Sequence, residues 1–243
     1  MAKTVSCLLA LVSFLGLTAS ISQAENVQQD EALPALNAQF ETTECARPCK
    51  KTIKHAWWMW RTPEKVELRK AQSANSELWV LQADKTISYA FLMHDEKKLI
   101  EYSDVDLKML NQAMDAKKWE ALTKLVTQKD LASMQKKTLK RQYQGLSLMQ
   151  YDGKLNGVET HITWVPALQV PLKMTYVYPK HQLTINLLNH NVQQATMTAT
   201  TEQAMLGYDR IDYTDIGDME HAASAKVWLS KATDAPGLHS HHH

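Results

Sequence analysis

The stretch GKLNGVETHITWVPALQVPLKMTYVYPKHQLTINLLN, Gly153 to Asn189, decides the fold. Val158, Thr160, Ile162 and Trp164 fall on one side of an extended chain, and Glu159, His161 and Thr163 on the other. Leu172, Met174, Tyr176 and Tyr178 repeat the alternation, as do Leu183, Ile185 and Leu187. A period of two with one apolar and one polar side is the mark of a sheet buried on one face and wet on the other. Upstream, YQGLSLMQYDGKLNGVETHITWV reads as a hairpin turning within Asp152–Gly157, where two glycines and an asparagine permit positive φ.

The same texture appears nearer the N-terminus. TIKHAWWMWRT, KVELRK, ELWVLQ, TISYAFLM and KLIEYS are short segments rich in aromatic and β-branched residues, separated by TPE, AQSANS, ADK and HDEK. They predict an antiparallel meander of about five strands starting near Thr52. Between the two strand regions the period changes. Leu107, Leu110, Met114, Trp119, Leu122, Leu125 and Val126 recur at helical spacing. Ser103 with Asp106 and Thr127 with Asp130 resemble capping boxes, so two or three short helices are expected between about Asp104 and Lys137. The fold class is therefore α+β: a curved, mostly antiparallel half-barrel sheet with two or three short helices inserted mid-chain.

This layout over about Trp57 to Leu188, with GKLNGVETHITWVPALQVPLKM matching a strand, W-x-P-x-x-x-x-P, strand segment, resembles the periplasmic lipoprotein-carrier superfamily (LolA/LolB-like). The resemblance implies a half-barrel that holds acyl chains, or a partner protein's apolar segment, against a helical plug. No ligand-contacting residue transfers position by position.

The chain opens MAKTVSCLLALVSFLGLTASISQAEN, a basic residue, an apolar run and a small-residue stretch ending at Ala24. That is the layout of a secretory signal peptide, residues 1–24, and predicts an exported, periplasmic protein. Residues 25–44 read as a polar N-terminal arm, residues 45–230 as a single α+β domain, and residues 231–243 as a disordered tail containing histidines. No other apolar run approaches membrane-spanning length, so stable membrane insertion is not expected. A formal charge of +1 with interspersed signs argues against a nucleic-acid partner.

Beyond the leader, two cysteines remain, Cys45 and Cys49. Export favours a disulfide between them; redox chemistry or metal binding by the pair are alternatives. The tail offers His239, His241, His242 and His243 as a loose chelator of copper, nickel or zinc. Asp209, Asp212, Asp215 and Asp218 stand three apart, a spacing unlike that of a calcium loop. His94 with Asp95, and His161 with Glu159, are acid–base pairs by composition. No hydrolase, nucleotide or metalloprotease motif occurs, and no cofactor is implied.

HAWWMWRT, His55 to Thr62, holds three of the chain's seven tryptophans. Trp57 and Met59 fall on one face of that strand and Trp58 and Trp60 on the other; both faces are apolar, so either pair suits core packing or a cavity wall. The candidate cavity residues are Trp58, Trp60, Trp79, Phe91, Met93 and Trp164. The leading expectation is a non-enzymatic periplasmic protein holding an acyl chain or lipoprotein segment. A periplasmic protein–protein adaptor or assembly factor with a filled sheet is the alternative, and a metal-handling accessory protein using the His tail is the third.

Overall fold

The computed structural model describes residues 32–191 and 197–218. The expected signal peptide and the histidine tail lie outside the described residues. In chain order the elements are strands β1 (Leu36–Ala46), β2 (Ile53–Arg61), β3 (Lys65–Lys70), β4 (Asn75–Leu81), β5 (Ile87–Met93) and β6 (Lys98–Tyr102). Helices α1 (Asp104–Met109), α2 (Ala116–Lys124) and α3 (Gln128–Ala132) follow, then β7 (Gln135–Tyr143), β8 (Leu146–Leu155) and β9 (Val158–Val165). A 3-10 turn (Pro166–Leu168) leads to β10 (Val170–Val177), β11 (His181–His190), α4 (Glu202–Met205), β12 (Asp209–Asp212) and α5 (Tyr213–Asp218).

The twelve strands among the described residues form one open, curved sheet in the order β12-β6-β5-β4-β3-β2-β1-β11-β10-β9-β8-β7. Two meanders, β2–β6 and β7–β11, are joined through β1, which pairs with both β2 and β11. Every pairing is antiparallel except that of β12 with β6. The expected α+β half-barrel with mid-chain helices is thus the observed architecture.

Two expectations are corrected. Residues 36–44 belong not to a polar arm but to β1, the central strand. Leu36, Ala38 and Phe40 point into the core at 2, 0 and 0% exposure, while the intervening positions are polar. The helical segment ends at Ala132, and Gln135–Tyr143 is strand β7. β7 is an edge strand and polar on nearly every position, so it has no alternation to reveal it.

Local chemistry explains the joints. The β8–β9 turn is narrower than expected: Asn156 and Gly157, at φ 49° and 82°, form a two-residue connection. Gln144 and Gly145, at 50° and 81°, do the same between β7 and β8. Positive φ at both central residues matches the right-handed twist of the flanking strands. The Ser103 hydroxyl accepts from the Asp106 amide, and the Asp106 carboxylate accepts from the Ser103 amide, closing the expected capping box on α1. Thr127 caps α3 through the Asp130 amide.

Helices α1, α2 and α3 cover the concave face of the sheet. Leu107 and Leu122 enter the large core with Met59, Val66, Trp79, Phe91 and Ile100. Val126, Leu131 and Met134 pack on Tyr151, Ile162, Trp164 and Met174. Gly153 makes room for α3: a Cβ there would lie 3.1 Å from Met134 Cγ.

Arg61 ties the helices to the sheet. It follows Met59 on the concave face of β2 and is 2% exposed. Its Nε and Nη2 donate to the Pro34 carbonyl at 3.1 Å, Nη2 also to Leu168 at 2.6 Å, and Nη1 to the carbonyls of Thr123 and Gln169. Burial lowers the guanidinium to about 10, so it stays charged at neutral pH. Replacing Arg61 by Leu removes the donor to the carbonyls of Pro34, Thr123, Leu168 and Gln169. The expected cost is about 3 kcal/mol, read as a lowered urea midpoint by tryptophan fluorescence; an unchanged midpoint contradicts this role.

Candidate functional site

The tryptophan strand β2 divides its side chains between two environments. Trp57 and Met59 face the concave side; Trp58 and Trp60 face the convex side. The pairing register shows this directly, since Met59 opposes Leu68 while Trp60 opposes Glu67 and Trp58 opposes Arg69. The six residues named as cavity candidates therefore cannot line one cavity. Trp79, Phe91 and Met93 sit in the large concave core and Trp164 in its α3-covered neighbour, whereas Trp58 and Trp60 stack on each other on the far side, centroids 5.9 Å apart.

Over the first meander the concave face is occupied. Trp79, Tyr89, Tyr102 and Tyr213 form a ladder of rings with centroid spacings of 4.3, 5.0 and 4.6 Å. Glu77 is buried among them and accepts from Trp79 Nε1 at 3.4 Å. The Tyr89 hydroxyl has no hydrogen-bond partner among the described residues. Burial, with Glu77 nearby, pushes its ionisation well above the usual phenol range, so it stays neutral.

Nearer the rim the concave face opens. Trp57, Leu183, Ile185 and Tyr176 are half-buried and contiguous across β2, β1, β11 and β10. Phe40 stacks on Trp57 at 4.6 Å, and Trp57 Nε1 donates to Thr42 Oγ1 at 3.0 Å, which fixes the indole. Leu183 is the cross-strand partner of both Tyr176 and Glu44, and Glu44 in turn opposes Ile53, a residue 63% exposed. Beside this strip, between β2 and the β3–β4 turn, lies a pocket of about 300 Å³. Lys54, His55, Lys70, Gln72 and Ser73 contribute to its walls. The apolar strip and this pocket form the candidate site. Sequence reading reached Trp57, with Met59, as one of the two possible cavity-facing pairs on β2, but not Leu183, Ile185, Tyr176 or the pocket.

The convex face holds a second constellation. Glu67, fully buried, accepts from the Thr200 amide at 2.6 Å, from Thr200 Oγ1 at 2.8 Å and from Arg69 Nη2 at 2.8 Å. The Arg69 guanidinium lies 5.4 Å from the Trp60 ring. His94 Nε2 shares a hydrogen bond with the Ser76 hydroxyl at 2.9 Å and Nδ1 with the Tyr208 hydroxyl at 2.7 Å. Met205 and Tyr208 also pack on Leu78, Leu92 and Leu99. Thr200 and Tyr208 thus strap the chain after β11 across the back of the first meander. Ser76 is 2% exposed and His94 is oriented by a phenol, so the pair binds a strap and offers substrate no approach. Burial, then the Arg69 charge, lowers His94 to about 4, against weaker opposition from Glu67 and Asp95.

His161 is half-buried on the opposite half of the same face. Its Nδ1 meets Asp152 at 2.6 Å and its Nε2 meets Glu159 at 3.3 Å. The Asp152 hydrogen bond raises its pKa against desolvation, and the same bond lowers Asp152. Cys45 and Cys49 form a disulfide at the end of β1. Among the described residues no three His, Cys, Asp or Glu side chains come together as a metal site. Asp209 pairs with Lys98 at 3.0 Å and Asp212 accepts from the Thr214 amide and hydroxyl, so these two acids serve local structure. His239, His241, His242 and His243 lie outside the described residues.

No protein-family model matches the chain, and no curated protein matches it. Solved structures do match. PNGF-II is 9% identical with a TM-score of 0.38, over 74% of this chain and 31% of that one, so this chain spans about a third of its length. A domain named for outer membrane lipoprotein sorting from Vibrio parahaemolyticus is 10% identical over 73% of this chain and 92% of that one, TM-score 0.30. The MucA/MucB complex of Pseudomonas aeruginosa is 11% identical over 72% and 57%, TM-score 0.36. The LolA/LolB-like resemblance is one of layout. No helix among the described residues is long and apolar enough to cross a membrane.

The two histidines titrate in opposite directions. The folded state rejects a proton at His94, so stability falls as pH drops from about 6.5 towards about 4. His161 behaves conversely: its contribution is present below the ordinary value of 6.5 and lost as pH rises through its raised pKa. Ring-proton NMR titration is expected to separate them, and Asp152→Asn to bring His161 down towards 6.5. Coincident titration of the two rings contradicts the assignment.

Proposed function

We propose that this protein is an exported, periplasmic, non-enzymatic carrier that holds an acyl chain or the apolar segment of a lipoprotein against the concave face of its sheet. The observation carrying this reading is the half-buried strip Trp57, Leu183, Ile185 and Tyr176, left open beside a core that is otherwise closed by helices. An apolar strip of this kind on a preformed concave surface gains free energy by covering itself with a ligand. The leader-like N-terminus supports export, and the Cys45–Cys49 disulfide suits an oxidising compartment.

A second reading has its own support. Trp79, Tyr89, Phe91, Met93 and Tyr102 are each at most 3% exposed, so the half-barrel over the first meander is filled by its own side chains. A filled half-barrel suits a protein–protein adaptor that presents its surface and takes no ligand.

Native mass spectrometry of protein prepared without detergent is expected to show a co-purified lipid mass. N-phenyl-1-naphthylamine is expected to brighten on binding, and Leu183→Asp to weaken that binding about tenfold, or ~1.4 kcal/mol, without lowering the melting temperature materially. A clean apo mass together with no dye response sinks the carrier reading and favours the adaptor.

A further inference from the structure

We infer that the edge strand β7 is a docking strip for an acidic, extended segment of a partner protein, which adds to the sheet as one more strand. The inference concerns the outer edge of the second meander and stands apart from whatever the concave face holds.

The backbone carries the first part of it. One end of the sheet is covered by the chain itself, since β12 runs along β6. At the other end β7 has β8 on one side and, among the described residues, no strand on the other. Edges that are merely blunted are usually very short, and β7 is nine residues long. Its register with β8 is regular from Gln135 to Leu139, so that stretch presents outward N–H and C=O groups at strand spacing. The register breaks between Leu139 and Gln142, which sets Lys140 and Arg141 outside the ladder beside its end.

The side chains carry the second part. β7 reads QKKTLKRQY, four cations and no acid, in a chain with 27 basic and 26 acidic residues. All four cations are exposed. Among the described residues Lys136, Lys140 and Arg141 enter no ion pair. Lys137 does act on an acid, Asp152, the cross-strand partner of Gln135; Asp152 is held mainly by its hydrogen bond to His161.

The occupant follows from the combination. Lys136 and Lys137 are adjacent in a strand, so they flank the edge on its two faces. Leu139 and Tyr143, the apolar residues of β7, pack against the large core, which leaves the edge no exposed apolar side chain to insert into a bilayer. A lipid surface would answer the cations alone. A polypeptide answers both the cations, with carboxylates, and the open backbone, with its own N–H and C=O groups.

The test uses the full chain and fluorescence anisotropy of labelled, end-capped peptides of about ten residues. One carries the core Glu-Glu-Thr-Val-Glu-Glu, the charge complement of Lys136 to Arg141. A second has Lys for each Glu, and two more carry the acidic core N-methylated at the odd or at the even positions. The acidic peptide is expected to bind about tenfold more tightly than the basic one at low salt, with the gap shrinking at high salt. An added strand turns alternate N–H groups to its neighbour, so one N-methyl pattern is expected to abolish binding and the other to leave it. Lys136→Gln/Lys140→Gln/Arg141→Gln is expected to weaken the acidic peptide about tenfold at an unchanged melting temperature. The charge-reversed Lys136→Glu/Lys140→Glu/Arg141→Glu protein should prefer the basic peptide. Equal binding of acidic and basic peptides by the unaltered protein overturns the docking strip, as does an acidic preference that survives both triple variants. N-methyl peptides that behave alike, both binding or neither, overturn strand addition. Phosphatidylglycerol vesicles that displace the acidic peptide from the unaltered protein, and not from the charge-reversed one, assign the strip to an anionic lipid surface and overturn the partner segment.

Discussion

A single buried cation with no carboxylate partner holds the two halves of this molecule in register. Arg61 distributes its donors among the carbonyls of Pro34, Thr123, Leu168 and Gln169. Those four acceptors belong to the entry into β1, the last turn of α2 and the connection between β9 and β10. The carbonyls at a helix C-terminus carry partial negative charge, which suits a guanidinium there. Because each acceptor is neutral, the arrangement works only while all of them converge, and so β1, the helical plug and the second meander must be in place together. The planar fork of arginine makes this possible; lysine has the charge but not the reach to several fixed directions.

That constraint shapes where a ligand could lie. The plug is anchored at the end of β2 that carries Arg61, so the concave face is sealed there and relaxes toward the other end, where His55 and Ile53 lie. The tryptophan stretch follows this gradient: Met59 is fully buried, Trp57 half-buried and Ile53 exposed. On the reverse face Trp58 and Trp60 serve a different purpose, a platform for Arg69 and the strap that follows β11.

Much of this was legible in the residues. The alternation from Val158 onward placed β9 to β11, the aromatic segments placed β2 to β6, and Ser103 and Thr127 announced the helices they cap. β1 escaped because only its first half faces the core; from Thr42 onward it runs toward the open rim, where polar residues are tolerated on both faces. β7 escaped because an edge strand has solvent on most of its surface and needs no period. Arg61 was hidden by its type. An arginine after Met59 on an inward alternation is a signal, but composition assigns arginine to water. The candidate cavity residues do not form one set for a geometric reason: Trp58 and Trp60 face the convex side of the sheet, while Trp79, Phe91, Met93 and Trp164 face the concave side.

The lone parallel pairing has a consequence for assembly. After β11 the chain crosses behind the first meander and lays four residues, β12, along β6 before turning into α5. That end of the sheet presents only this short strand. The other end is β7, nine residues long and studded with Lys136, Lys137, Lys140 and Arg141. Growth of an open-ended polymer by strand addition needs two receptive ends; among the described residues one end is the four-residue β12 and the other carries like charges that oppose a second copy. Pairing of β7 with the β7 of a second molecule would set these four cations against their like, which disfavours self-pairing at that edge.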